Sequence, residues 1–170
     1  MTDRAIQEAR NLLAAADYPL PINVEAIAHR LGISVRMQEL EEHVSGVLVI
    51  KGASAVIGVN GAHHLHRQRF TIAHEIGHYQ LHRTSAQLFV DAAPVFFRDG
   101  RSAEGVNAQE IEANAFAAEL LMPEAMLRDL FQRQPVDVFD DAALRRLASQ
   151  FGVSPQALAI RLTKLGLVPV

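Results

Sequence analysis

The segment from residue 67 to residue 83, RQRFTIAHEIGHYQLHR, constrains the fold of this chain more than any other. Its apolar residues recur at helical spacing and supply one side of a helix: Phe70, Ala73, Ile76, Gly77 and Leu81. We expect such a helix to be buried, and imidazoles buried with it need partners. The rest of the chain must therefore cover this helix and satisfy its histidines.

Elements that could cover the helix are predicted on both sides of it in the sequence. Three short runs between about residues 33 and 60, ISVRMQEL, SGVLVIKG and ASAVIGVNG, predict an antiparallel meander. Residues 83–106 are predicted to be irregular apart from a short strand at VFFRDG, and residues 107–121 to form a helix that stops before Pro123. We therefore predict an α+β fold in which this small sheet and this helix pack on the His74 helix.

Composition limits the functions that the chain can have. The chain has 170 residues, a formal net charge of −3 and no cysteine. The negative charge provides no general attraction to nucleic acid, and without cysteine any metal must be held by nitrogen and oxygen. No apolar run approaches the roughly 20 residues that cross a bilayer, and the N-terminus lacks the features of a secretion signal. We therefore expect a cytoplasmic protein without membrane contact.

The spacing of two histidines indicates a metal site. His74 and His78 are four residues apart, so in a helix they lie on one face and can direct imidazole nitrogens at one ion. Zinc accepts such ligands in tetrahedral geometry. Glu75 cannot easily share that ion, but it can take a proton from water as a general base. This arrangement of two ligand histidines and a glutamate base is typical of the zinc-binding helix of a metallopeptidase. The alternative is a helix whose histidines only pack.

A catalytic zinc requires a third protein ligand, and the helix at 107–121 offers two carboxylates. Glu110 and Glu112 face about 200° apart on that helix. Glu110 shares its face with small residues that allow close approach, whereas Glu112 shares its face with Glu119, which we expect in solvent. We therefore predict Glu110 as the ligand and Asn114 as a hydrogen-bond partner that orients a ligand histidine.

Two more residues of the His74 helix each have two possible roles. His82, four residues after His78, is expected either to line the cleft and polarise a scissile carbonyl, or to interact with the carbonyls at the helix end. Gly77 leaves room for the close approach of another backbone or of a substrate.

The C-terminal run LRRLASQFGVSPQALAIRLTKLGL has the pattern of a helix-turn-helix: a helix, a glycine turn, a start at Ser154 and Pro155, and a second helix. The second helix offers Gln156, Arg161 and Lys164 for phosphate contacts, which is a small basic surface. The element could contact DNA or a protein substrate, or the two helices could only pack on the rest of the chain. We favour packing.

The residues RQRFTIAHEIGHYQLH followed by EIEANAFAAELLMP resemble the ImmA/IrrE family of bacterial metallopeptidases, and the likeness extends from about Pro19 to Pro123. They also resemble, more remotely, zinc peptidases whose third ligand is the first glutamate of a Glu-x-x-Ala-Asp helix. In that pattern Glu110 matches the ligand, Ala113 the alanine and Asn114 the aspartate. The amide of Asn114 can accept a hydrogen bond from an imidazole but supplies no charge.

We predict a zincin-like zinc peptidase domain at residues 1–134 and a C-terminal helical segment at 135–170 that packs on it. The resemblance implies an endopeptidase that uses Zn²⁺ and cleaves a helix-turn-helix repressor, thereby releasing stress or mobile-element genes. The competing hypothesis is a DNA-binding or partner-binding regulator with a non-catalytic zinc. The negative charge and the presence of Glu75, which structural zinc does not need, argue against it.

Overall fold

The computed structural model of this chain describes residues 2–84, 87–92, 100–133, 137 and 140–168, with the backbone alone at 92 and 100–106. Within these ranges the fold is α+β, as predicted. The elements follow in the order α1 (Thr2–Ala14), α2 (Val24–Arg30), β1 (Ile33–Gln38), β2 (Val44–Lys51), β3 (Ser54–Asn60), α3 (Leu65–His82), β4 (Leu88–Ala92), α4 (Gly100–Leu121), α5 (Glu124–Arg133), α6 (Asp141–Phe151) and α7 (Pro155–Lys164).

The strands form one mixed sheet, so the predicted antiparallel meander is wrong. Their order is β1-β3-β2-β4. Strand β2 runs antiparallel to both β3 and β4, but β1 lies parallel to β3. The prediction failed because alternating apolar residues indicate the two faces of a strand but not its neighbour in the sheet.

Strand β4 was not predicted, and it forms one edge of the sheet. Its five residues do not alternate in character: Leu88 and Val90 are 57% and 50% exposed, whereas the equally apolar Phe89 is buried. The predicted strand VFFRDG lies outside the described residues except for Gly100. That residue begins α4, which therefore starts well before the predicted residue 107.

Helix α3 lies between the sheet and α4, and it contacts β2 and β3 on one side and α4 on the other. The approach of the two helices is close at Gly77, where a Cβ atom would lie 3.2 Å from Ala113 Cα and 3.3 Å from Ala113 O. Gly77 therefore makes room for the backbone of α4. This is one of the two alternatives that its position left open.

The predicted C-terminal helices are present as α6 and α7. Gly152 ends α6 in the left-handed conformation, and the Ser154 side chain accepts a hydrogen bond from the backbone N–H of Ala157 at the start of α7. Their buried side chains, among them Phe151 and Leu162, belong to the same apolar core as those of α3 and α4. Over the described part of the chain, no helix combines the length and apolar character needed to span a membrane.

Candidate metal centre

The middle of α3 is buried on all sides, and this brings three polar residues into the interior. His74 is 2% exposed, His78 is 1% exposed and Glu75 is fully buried. Their burial follows from the position of α3 between the sheet and α4. Buried groups of this kind need partners, as the apolar surroundings of the motif predicted.

Two histidine nitrogens and one carboxylate converge at the contact between α3 and α4. The Nε2 atoms of His74 and His78 lie 3.0 Å apart. Glu110 Oε2 is 3.1 Å from His74 Nε2, and Glu110 Oε1 is 3.1 Å from His78 Nε2. The structure thus brings together the three residues that the sequence predicted as ligands.

This cluster fits a zinc ion. Among the described residues, His74, His78 and Glu110 form a group whose ligand atoms all lie within 4.8 Å of one another. A tetrahedral zinc with bonds of about 2.0–2.1 Å separates its ligand atoms by roughly 3.3 Å, close to the spacing found here. Two imidazoles and one carboxylate are also a donor set that zinc accepts.

The charges in the cluster suit a cation. Burial opposes ionisation of Glu110, but its hydrogen bonds with His74 and His78 outweigh burial and lower its pKa to about 2. Burial likewise disfavours charged imidazoles and lowers the pKa of His78. At His74 the opposing effects of Glu110 and Glu75 prevail, and the pKa is raised. The cluster therefore holds an ionised carboxylate beside two imidazoles.

Glu75 follows His74 directly in the sequence, and its carboxylate is buried without a hydrogen bond from any described residue. Strand β2 covers it closely, since a Cβ atom on Gly46 would lie 3.4 Å from Glu75 Oε1 and only 2.3 Å from Thr71 Cγ2. Burial raises the pKa of Glu75 from its ordinary 4.5 to about 8, against the opposing influence of His74.

We expect Glu75→Gln to stabilise the metal-free protein, and to do so more strongly at higher pH. Because the folded pKa is about 8 and the ordinary value is 4.5, wild-type stability is lost progressively as the pH rises between these values. Glutamine has no charge to bury, so the gain at pH 8 is on the order of 1–3 kcal/mol. Urea unfolding in the presence of a chelator at pH 5 and pH 8 measures it. An equal change in stability at both pH values would contradict this explanation.

The second ring nitrogen of each cluster histidine also has a partner. His74 Nδ1 lies 3.1 Å from Asn114 Oδ1. His78 Nδ1 lies 3.1 Å from His82 Nδ1, and His82 Nε2 lies 3.0 Å from Glu112 Oε2. His82 is 5% exposed, and its contact with Nδ1 puts it on the side of the His78 ring away from Glu110.

Two expectations about the carboxylates of α4 are wrong. Glu112 does not point away from α3, since it contacts His82. Glu119 is not in solvent; it is 1% exposed and pairs with Arg10 at 2.9 Å and with Arg161. Helical phase could not reveal these contacts because the partners of Glu119 lie 109 and 42 residues away in the sequence.

Arg161 pairs with Glu119, and its Nε–H donates a hydrogen bond to the carbonyl oxygen of Met122 at 3.2 Å. Of the three side chains predicted for phosphate contacts, Arg161 is therefore buried, whereas Gln156 and Lys164 are exposed. A missed neighbour of the site is Phe89 of β4, whose ring stacks on His78 with centroids 4.6 Å apart. Recognition of β4 as a strand would have been needed to find it.

Breaking the Glu119–Arg161 pair is expected to destabilise the fold strongly. Glu119→Ala leaves the buried Arg161 guanidinium without its carboxylate, a change that typically costs about 3–5 kcal/mol. The matched control is Asp129→Ala, which breaks the exposed pair between Asp129 and Arg133 and should cost less than about 1 kcal/mol. Urea unfolding of both variants measures the difference. Similar small effects in both would show that the buried pair contributes no more than the exposed one.

Comparison with known proteins places this chain among peptidases. A family model described as the IrrE N-terminal-like domain of the M78 peptidases matches residues 28–163, and so extends beyond Pro123 through most of α7. A curated relative, "Uncharacterized immunity region protein 2" of Bacillus phage phi105, is 28% identical over 102 residues. The alignment covers 60% of this chain and 60% of that relative's length. The match of the family model over most of the chain shows that this protein belongs to the M78 peptidase family, with an IrrE N-terminal-like domain.

Proposed function

We propose that this protein is a zinc-dependent endopeptidase with a zincin-like site on α3. One observation carries the proposal: three ligand atoms converge beside a buried carboxylate that has no hydrogen-bond partner among the described residues. A structural zinc site would not need Glu75. A peptidase site does need it, because a base must take a proton from the attacking water.

In this proposal His74, His78 and Glu110 hold the zinc ion. Bound zinc supplies a Lewis acid that polarises the scissile carbonyl and lowers the pKa of water. Asn114 accepts a hydrogen bond from His74 Nδ1, which leaves the Nε2 lone pair of that ring free for the ion. Glu110 remains ionised and adds negative charge.

Glu75 is the proposed catalytic base. It accepts a proton from the attacking water and then donates that proton to the leaving amine, so that the carboxylate is regenerated. In the metal-free protein burial raises the pKa of Glu75, and a cation held beside it would favour the ionised form that accepts the proton. The close cover by Gly46 of β2 keeps bulk water from one side of the carboxylate.

We propose that the substrate is a helix-turn-helix repressor and that cleavage takes place in the cytoplasm, in a stress or mobile-element circuit. Two observations support this substrate: the resemblance to the ImmA/IrrE family, and the name of the phage relative, which refers to an immunity region. We further propose that residues 135–170 are a helical segment packed on a peptidase domain at 1–134. The shared core and the Arg161–Glu119 pair support that arrangement.

The test of this function is incubation of the zinc-loaded protein with candidate helix-turn-helix repressors, followed by mass spectrometry of the products. We expect discrete fragments that disappear when a chelator is added and return when zinc is restored. A DNA-binding assay at several salt concentrations tests the competing regulator hypothesis. Salt-dependent DNA binding by a protein that cleaves none of the repressors would favour that hypothesis instead.

A further inference from the structure

We infer that His82 and Glu112 are positioning residues that hold His78 ready for a metal and place a negative charge behind it. This inference rests on the proposed metal site. It is carried by an unbroken line of contacts from the cluster into α4: His78 Nδ1 to His82 Nδ1 at 3.1 Å, and His82 Nε2 to Glu112 Oε2 at 3.0 Å.

The positions of the protons follow from the contacts. A metal ligand must offer a lone pair, so His78 Nε2 carries no proton and His78 Nδ1 carries one in the neutral ring. That N–H donates to His82, whose Nδ1 must therefore accept. The remaining proton of His82 is then on Nε2 and donates to the carboxylate of Glu112. Every contact in the line is satisfied by this arrangement with both rings neutral.

The reverse arrangement is disfavoured by Glu112. If His78 carried its proton on Nε2, its Nδ1 would accept from His82 Nδ1–H, and the Nε2 lone pair of a neutral His82 would face a carboxylate oxygen at 3.0 Å. Two acceptors would then lie in contact without a proton between them. When a cation lies between His78 Nε2 and Glu110 Oε1, the Glu112 carboxylate thus favours the form of His78 whose Nε2 lone pair faces that cation.

The surroundings shield most of this line of contacts from solvent. The side chains of His82 and Glu112 are 6% and 16% exposed. Phe89 stacks on the His78 ring at an interplanar angle of 24°. The close approach of α4 at Gly77 brings the residue beside Ala113, which is Glu112, within reach of α3.

The two ligand histidines therefore differ in their support. His74 contacts a neutral acceptor, the side-chain oxygen of Asn114. His78 contacts His82, which in turn contacts the carboxylate of Glu112. A negative charge behind an imidazole raises its basicity as a ligand, and loss of such partners typically weakens metal binding by 10–100-fold. We expect the same range for loss of the Glu112 charge.

The experiment measures zinc affinity by competition with a chromophoric chelator, and needs no peptide substrate. Glu112→Gln keeps the size and the acceptor oxygen but removes the charge, and it should weaken zinc binding by about 10-fold or more. The control is Glu39→Gln, the same change at an exposed position, which should leave affinity unchanged. The unfolding temperature of each metal-free variant should be no lower than that of the metal-free wild type, because the amide oxygen of glutamine can still accept the hydrogen bond from His82. A loss of zinc affinity would then not result from a weakened fold.

A second measurement reports the protons directly. Nitrogen-15 NMR of the zinc-loaded wild type should show His78 protonated at Nδ1 and His82 protonated at Nε2. His82→Phe should weaken zinc binding by about 10–100-fold; if this variant does not fold, Glu112→Gln still decides.

Wild-type affinity in Glu112→Gln, or a proton on Nδ1 of His82, would overturn the inference even if the protein cleaves peptides. Failure to cleave any repressor, with zinc affinity reduced as described, would instead count against the proposed function alone.

Discussion

Glu110→Ala is expected to abolish both stable zinc binding and peptide cleavage. The variant keeps only two of the three clustered ligands, whereas a catalytic zinc requires three from the protein. Zinc content after dialysis should fall from about one ion per chain to nearly none, and turnover should fall with it. Metal analysis and a peptide assay on the same preparations measure the two effects.

The control for Glu110→Ala must be a carboxylate that does not contact the cluster or its neighbours. Glu112, two residues away, is unsuitable because it contacts His82. Asp129 is a better control, because its side chain is 53% exposed and far from the cluster in sequence. Asp129→Ala should retain zinc and activity. Retention of stoichiometric zinc by Glu110→Ala would show that another group is the third ligand.

Glu75→Gln is expected to keep zinc but to lose hydrolysis. The Glu75 carboxylate is not among the clustered ligand atoms, and its amide replacement has nearly the same shape. The amide cannot accept the proton of the attacking water, so turnover should fall by about 10²–10⁴-fold, the usual contribution of a general base. Steady-state kinetics at equal zinc occupancy measures the loss.

The same substitution separates chemistry from folding. We expect Glu75→Gln to be more stable than the wild type in the metal-free state, since it removes a buried and unpartnered carboxylate. Loss of activity together with a gain in stability cannot result from unfolding. Wild-type turnover in this variant would remove Glu75 from the proposed mechanism.

Local signals in the sequence were sufficient to predict most helices and the convergence of His74, His78 and Glu110. Helical spacing placed His74 and His78 on one face, and small residues beside Glu110 indicated which side of α4 would approach them. Gly152 and Ser154 indicated the turn between α6 and α7, since each has a backbone or capping role that few other residues fill. The face on which a helical residue lies and the turn between α6 and α7 are set by residues only a few positions apart.

Two features that depend on residues distant in the sequence were not predicted. The parallel pairing of β1 with β3 requires a choice of neighbour that alternation cannot make. Helical phase also failed for Glu112 because the centre of the helix contact is Ala113. Glu110 and Glu112 lie about 60° and 100° from Ala113 on opposite sides of the helix, so both long side chains can reach α3.

The measurement that tests the central claim most directly is hydrolysis of an unfolded peptide library by the zinc-loaded protein in ¹⁸O-labelled water. A library of denatured peptides removes dependence on any one repressor. The proposed site predicts that the zinc-loaded wild type yields peptides that carry the label at their new C-termini. The metal-free protein and the Glu75→Gln variant should yield no such peptides. Equal cleavage by Glu75→Gln, or no labelled product from a wild type that holds one zinc ion at His74, His78 and Glu110, would contradict it.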